Sequence, residues 1–444
     1  RDANIMKRYL VKMIAGFCIL MAFAAGSFSS SADALEIRQL TSPKGIKLWF
    51  VKDTNLPIIQ VRFLWRGGAA NFEPGLINFL STMLDEGAGD LNSKAFQTRK
   101  EDYGIKLSFS AEKDNFSGSL RTLSKHKDEA FSLLALAVNQ PRFDPAPLER
   151  MRQALMAGHR RSASDSGTIA SETWWQNALQ GHAYGNAVRG SPEFTQKVTP
   201  DMLRKAHRQL FAQDNLIISV VGDIEETDLL SQIDKIFAEL PVQNTTQQID
   251  PFAPLDEDFV FVEFPGPQTE IIFGHIGISF DDPDYYTALV VNHILGGGGF
   301  SARLMTEIRE KRGLVYSVYS YLNETGSLPV WMGRMGTSHK NVEEALSVLR
   351  TELKRMRENG PSETELENAK NYIIGSYALG FDSGKKIASK MLTAQFFDLP
   401  PSHFDKRNSY IESITLEDVR RVARRLLKPD QLIITAVGEK NTTE

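Results

Sequence analysis

Eight histidines and one cysteine are the side chains best able to ligate a metal or attack a substrate. None is spaced for either task. His126 lies in the charged stretch SKHKDE, His159 follows MAG in LERMRQALMAGHRR, and His182, His207, His275, His293, His339 and His403 are isolated. Zinc-binding pairs place two ligands on one helix face, and no His/Glu pair at that spacing is visible. Cys18 falls inside an apolar leader, so a mature secreted chain would have no thiol. GGGGF, Gly296 to Phe300, lacks the Lys-Ser/Thr that follows the glycines of a phosphate loop, and a turn allowing close backbone approach is its ordinary reading. Arg309 and Tyr316, in REKRGLVY, offer a guanidinium and a phenol seven residues apart. On residue types alone, the guanidinium pairs with an acid such as Glu310 and the ring fills the core.

These side chains must be held by elements that the sequence writes twice. VTPDMLRKAHRQLFAQDNLIISVVG, Val198 to Gly222, aligns without gaps on ITLEDVRRVARRLLKPDQLIITAVG, Ile414 to Gly438, at an offset of 216 residues. In each copy a Thr N-cap, Thr199 or Thr415, opens an amphipathic helix that leads through a turn into a β-branched strand. EDYGIKLSFS from Glu101 is echoed by EKRGLVYSVY from Glu310, at an offset of 209 residues. Two self-matches at nearly equal offsets indicate a duplicated domain of roughly 200 residues rather than a short solenoid repeat. The halves run over about residues 35–240 and 259–444, joined by the aperiodic linker PVQNTTQQIDPFAPLDED, residues 241–258. Alternating patterns such as IIFGHIGISF beside long helical ones such as NVEEALSVLRTELKRMREN make the class α+β, with helices packed on a mostly antiparallel sheet. In the first half, Leu76, Phe79, Leu80, Met83 and Leu84 mark the buried stripe of a helix. In the second, Ser301 can cap a helix reaching about Arg312, Gly313 suits its C′ position and Leu314 to Tyr321 reads as a strand. Arg309 and Tyr316 then flank a helix-to-strand corner.

Gly75-Leu76 at the start of the first helix, with GGGFSARLMTEIREKRGLVYSV in the second half, resembles the pitrilysin/insulinase family of inverted zincin peptidases over nearly the whole chain after the leader. The resemblance implies H-x-x-E-H on the first helix, where two His bind zinc and the Glu activates water, and a Glu ligand on a later helix. Here the motif positions hold Asn78, Phe79, Leu80, Ser81 and Thr82, and the later ligand falls on Gly158. Amide and hydroxyl groups are poor zinc ligands, Ser81 cannot act as a carboxylate base and Gly158 has no side chain, whereas a catalytic zinc needs about three protein ligands. His159 projects about 100° away from Gly158 around the helix. The resemblance also implies that Arg309 and Tyr316 reach from the zinc-free half toward substrate beside the metal. Donors aimed at the oxygen of a carbonyl under attack favour the transition state. It further implies a substrate contact for Gly297, Gly298 and Gly299, as in the processing-peptidase subunit that lacks zinc, and a structural role for HAYGNAVRGSPEF, His182 to Phe194.

MKRYLVKMIAGFCILMAFAAGSFSSSADA, beginning at Met6, places Lys7, Arg8 and Lys12 before an apolar run and small residues at Ala32 and Ala34. Residues 1–34 therefore read as a secretory signal peptide with a few upstream residues. The run is shorter than the roughly 20 residues of a membrane span, so cleavage without stable membrane insertion is expected, with a retained anchor as the alternative. A net charge of −4 without a basic stripe argues against nucleic acid. These readings converge on the zinc-free subunit of a heterodimeric periplasmic metallopeptidase. It would carry no cofactor of its own and form half of a clam around peptide substrates, facing a zinc-bearing pitrilysin-family subunit. The alternative is a non-catalytic structural or peptide-binding member of the family.

Overall fold

The computed structural model describes residues 36–440, except 251, 253–255 and 326–327. Residues 1–34, for which a signal peptide is expected, lie outside the described residues. Contacts divide the chain into Arg1–Arg38 and Gln39–Glu444.

The architecture is α+β with two sheet-bearing halves, as the doubled sequence requires. The first half carries β1 (Arg38–Thr41), β2 (Lys47–Lys52), β3 (Ile58–Arg66), β6 (Lys106–Ala111), β7 (Asn115–Leu123) and β8 (Leu216–Gly222), in the sheet order β1-β2-β8-β3-β7-β6; β4 (Gly87–Ala88) and β5 (Leu91–Asn92) form a separate ribbon. The second half carries β9 (Asp258–Glu263), β10 (Thr269–Ile276), β11 (Val315–Thr325), β12 (Leu328–Thr337) and β13 (Ile433–Gly438), in the order β11-β12-β10-β13-β9. Read from the opposite edge, this is the first sheet's order from β2 to β6, and only β1 is without a counterpart. β2 pairs with β8 in parallel, as β9 does with β13, and the other neighbouring pairs for which a register is defined are antiparallel. Small devices repeat too. A Cβ on Gly118 would come 2.2 Å from the Phe63 ring across the strand pair, and one on Gly333 would come 2.2 Å from Phe273. Each glycine leaves its cross-strand Phe room to lie flat over the sheet.

Each half sends one helix onto the other half's sheet. Helix Ser166–Ala178, from the first half, packs on β10 and β13, where the fully buried Trp174 donates from Nε1 to the Ile433 carbonyl at 2.9 Å. Helix Gly384–Phe396, from the second half, packs on β8 and β3. There Leu392 joins Leu64 and Ile217, and Gln395 Nε2 donates to Ile218 O (3.1 Å) and Ser219 Oγ (2.8 Å). The equivalent faces of both sheets are apolar and need a cover. The cover in each case comes from the other copy of the repeat.

The apolar stripe of the first helix is buried as its spacing requires, although the helix itself runs only from Leu76 to Ser81. Thr199 and Thr415 cap their helices, accepting from Met202 N (3.3 Å) and Asp418 N (3.2 Å). Between the halves, Thr245 N donates to Gln209 O and Asn71 Nδ2 to Gln247 O, which lays this part of the linker along the first half.

Two histidines belong to this packing. His207 donates from Nε2 to Val138 O at 2.7 Å. His275 is buried against Trp331, its Nδ1 donating to Ile276 O (2.8 Å) and its Nε2 accepting from Lys428 N (3.2 Å). Burial lowers both pKa values to about 4. An unfolded chain takes up these protons near pH 6.5 and the folded chain only near 4. Their contribution is therefore complete above the unfolded value and is lost as pH falls through that window. Urea midpoints are expected to drop from about pH 6.5 toward 4, with a shallower drop in His207→Gln. Trp174→Ala, which empties the shared layer, should cost about 3–5 kcal/mol in the same unfolding experiment.

Candidate functional site

The helix at the lost metal position is held from outside by glycines. Gly75 (φ 100°) and Gly190 (φ 65°) face each other: a Cβ on Gly190 would lie 2.1 Å from the Pro74 carbonyl oxygen, and one on Gly75 would lie 3.0 Å from that of Arg189. Arg189 is fixed by two hydrogen bonds to Glu172, and His182 Nε2 donates to Asp250 O at 2.8 Å. The stretch His182–Phe194 is thus a brace for the helix start.

On that helix, the hydroxyls at the degenerate positions turn back on their own backbone. Ser81 Oγ donates to Asn78 O and Thr82 Oγ1 to Phe79 O, both at 2.7 Å. Such bonds compete with any outward role. The Phe79 ring carries the Arg152 guanidinium at 5.5 Å, and Arg152 donates to Val198 O at 2.8 Å. A Cβ on Gly158, in helix Pro145–Ser162, would meet nothing nearer than Arg161 Nη2 at 4.0 Å, so packing does not demand glycine there. His159 is buried with Nε2 against Thr195 Oγ1 at 2.9 Å, and burial, then the Arg189 charge, lowers its pKa. The donors at these positions do not fit a zinc ion. Among the described residues no group of three or more His, Cys, Asp or Glu is placed to hold a metal.

The Arg309/Tyr316 corner is built differently from its sequence expectation. Ser301 does not cap the helix: it ends a 3-10 turn, Gly299–Ser301, and its hydroxyl donates to Gly298 O at 2.9 Å. The segment carrying Arg309 is a π-helical turn, Met305–Glu310, packed beside β11. It closes at Gly313 (φ 64°), whose N–H returns to Arg309 O at 2.8 Å, while Leu314 N reaches Ile308 O at 3.0 Å. Gly313 therefore does have the left-handed C′ conformation.

Three cations lie in this turn, and Glu307 takes two of them. Lys311 Nζ and Arg312 Nη1 bond its carboxylate at 2.6 and 2.8 Å, holding its pKa below the usual range. Arg309 has no carboxylate partner among the described residues; its guanidinium sits 5.3 Å from the centre of the exposed Phe300 ring. The expected pairing with Glu310 is absent. Tyr316 does not fill the core either, being 60% exposed. The cause is a β-bulge. Val315 pairs with Thr337 and Ser317 with Gly336, leaving Tyr316 as the extra residue. In a regular strand Tyr316 would share the inner face with Val318 and Ser320; the bulge turns it outward, as bulges do beside sites. It joins the exposed Tyr319 and Tyr321, whose rings stack at 6.1 Å. The alternation of Tyr319 and Tyr321 with Val318 and Ser320 is the sequence signal that marks this outward face.

Glycines 296–299 divide by role. A Cβ on Gly296 would come 2.3 Å from Ser320 Oγ and one on Gly297 2.8 Å from Asn292 Nδ2, so both admit neighbours of their own fold. Gly299 (φ 62°) meets nothing and is exposed.

Residues 197–373 match the family model described as peptidase M16 inactive domain. A relative in Helicobacter pylori named non-peptidase homolog YmxG is 24% identical over 98% of this chain and 99% of its own length. A relative in Schizosaccharomyces pombe named probable mitochondrial-processing peptidase subunit beta is 24% identical over 82% of each chain. The crystal structure of a peptidase M16 inactive domain from Pseudomonas fluorescens matches with a TM-score of 0.87 and 28% identity, covering 92% of this chain and 99% of that one. With the repeated sheet order and the ligand-poor motif positions, these matches place a peptidase M16 inactive domain at residues 197–373 and make the whole chain similar to proteins of that family.

Proposed function

We propose that this chain is the zinc-free subunit of a two-chain periplasmic metallopeptidase, and that Arg309 and Tyr316 complete the site of a partner bearing an intact H-x-x-E-H. The supporting observation is the selective exposure of two donors on one corner. Glu307 neutralises the neighbouring cations and leaves Arg309 free, while the bulge brings Tyr316 out of the core. Neither arrangement serves packing. A guanidinium and a phenol at such a corner suit a peptide carbonyl whose oxygen gains charge. The exposed Gly299, where a Cβ would meet nothing, gives an extended peptide room to pass close to the backbone. The leader of residues 1–34 supports export to the periplasm, and the likeness to a protein named as a subunit supports a heterodimer.

A second reading, a structural or peptide-binding protein without catalytic role, is favoured by the relative named non-peptidase homolog, which matches almost end to end. The two separate in one experiment. The chain is coexpressed with an H-x-x-E-H partner, and peptide cleavage is followed in the intact complex. Arg309→Ala should lower kcat/KM by about 10²–10³, the usual effect of removing one such donor, and Tyr316→Phe should lower it in the same direction. An unchanged rate in a complex that still assembles removes the proposed role and leaves the second reading. Metal analysis is expected to find one zinc per heterodimer, all of it lost with the partner's motif, because the described residues of this chain offer no ligand set.

A further inference from the structure

On the flank of the second half, away from the Arg309 turn in sequence, lies a pocket of about 320 Å³. Helix Tyr285–Asn292, the turn Ser376–Phe381, helix Gly384–Phe396 and helix His403–Glu412 surround it. Its charged lining is two cations and no acid: Lys390 and Arg407. Both lean on one ring, with Lys390 Nζ 4.8 Å and Arg407 Cζ 4.3 Å from the Tyr377 centroid. Lys390 also lies 5.1 Å from Phe381 and crosses Gly380, where a Cβ would come 2.2 Å from its Cε.

Neither cation meets a carboxylate within the described residues. Arg407 makes its two protein bonds through Nη1, to Ile373 O (3.1 Å) and Asn408 Oδ1 (3.0 Å), leaving Nε and Nη2 without a protein partner. The Lys390 ammonium has no hydrogen-bond or carboxylate partner among the described residues and lies against the Tyr377 and Phe381 rings. The groups around them do not supply the missing charge. Lys386 is itself a cation, tied to Asp382 at 2.6 Å, and Asp405 is exposed and acts on Tyr377. His403 shares a hydrogen bond with Tyr286 at 2.9 Å, and His293 stacks on Tyr372. Burial lowers the Lys390 pKa, with Arg407 and Lys386 adding to the effect, and burial lowers that of Arg407.

Half-buried like charges sharing one aromatic ring are unfavourable for the empty fold, because a ring quadrupole offsets only part of their desolvation and mutual repulsion. An oxyanion removes both costs at once. The Ser376 hydroxyl, which lines the same pocket and has no protein partner among the described residues, adds a neutral donor. We propose that this pocket binds a small oxyanion, a phosphate or a carboxylate group, through Arg407, Lys390 and Ser376. The pocket borders Gly297, but neither Arg309 nor Tyr316 lines it, so its anion binding is tested apart from their role in the peptidase reading.

Calorimetry on the full chain, in chloride buffer at constant ionic strength, tests this with inorganic phosphate, triglycine and triglycine amide. Saturable binding of one ligand per chain is expected for phosphate or for triglycine, and the arm that responds identifies the source of the anion. Lys390→Gln and Arg407→Gln should each weaken it about tenfold or more, the effect of losing one charge-assisted hydrogen bond. Gly380→Ala, which keeps both charges but displaces the ammonium, should weaken it as well. Ligand-free Lys390→Gln is expected to melt at or above the wild-type temperature, since it relieves the repulsion. Silence in both the phosphate and triglycine arms, equal binding of the amide, unchanged affinity in both charge variants, or a clear loss of melting temperature in Lys390→Gln would each overturn the proposal.

Discussion

The fold rests on a reciprocal exchange. Each sheet has an apolar face that only a helix can cover, and in each half that helix comes from the other copy of the repeat. Trp174 shows how closely the exchange is fitted: its ring fills the space that Gly274 leaves open, where a Cβ would approach Cζ2 to 2.9 Å, and its N–H satisfies an Ile433 carbonyl. Water cannot serve either surface, so neither half has a complete core alone. The spacing between the halves is thereby fixed by two layers of packing. Hydrogen bonds of the short linker contribute little by comparison.

This rigidity explains how a metal motif can vanish while its helix survives. Helix Leu76–Ser81 is kept by burial and by the glycine contact with the Arg189 brace, and neither depends on ligand chemistry. Ser81 and Thr82 then satisfy their hydroxyls on the helix itself. At the Arg309 corner the reverse holds. There the fold spends a π-turn and a β-bulge, both departures from regular hydrogen bonding, to expose side chains that contribute nothing to the core.

Much of this was legible in the residues. The repeat gave both sheets, because a gap-free self-match of helix, turn and strand can only mean the same supersecondary unit twice. The expectation that zinc ligands are missing came from the family resemblance, which supplies the positions, joined to the chemistry of the side chains that stand there. Three things were not legible. An offset between copies says nothing about which sheet a helix covers, so the exchange of Ser166–Ala178 and Gly384–Phe396 was hidden. Ser301 has the type of an N-cap, but cap propensity yields to the 3-10 turn that the glycines before it impose. The exposure of Tyr316 depends on a one-residue register shift that no alternation of types announces. Arg309 is a milder case, since the cations Arg309, Lys311 and Arg312 stand among two acids, Glu307 and Glu310, and the charge count alone leaves one cation over.

The extra residue at Tyr316 also sets what kinds of change the strand can absorb. Replacing a side chain there alters one contact, whereas removing the Tyr316 codon would restore strict two-residue alternation through Val315, Ser317 and Val318, straighten the strand and take the phenol away with the bulge. Length, more than identity, is the property this segment has to keep, and insertions or deletions are the lesions to which it is most sensitive.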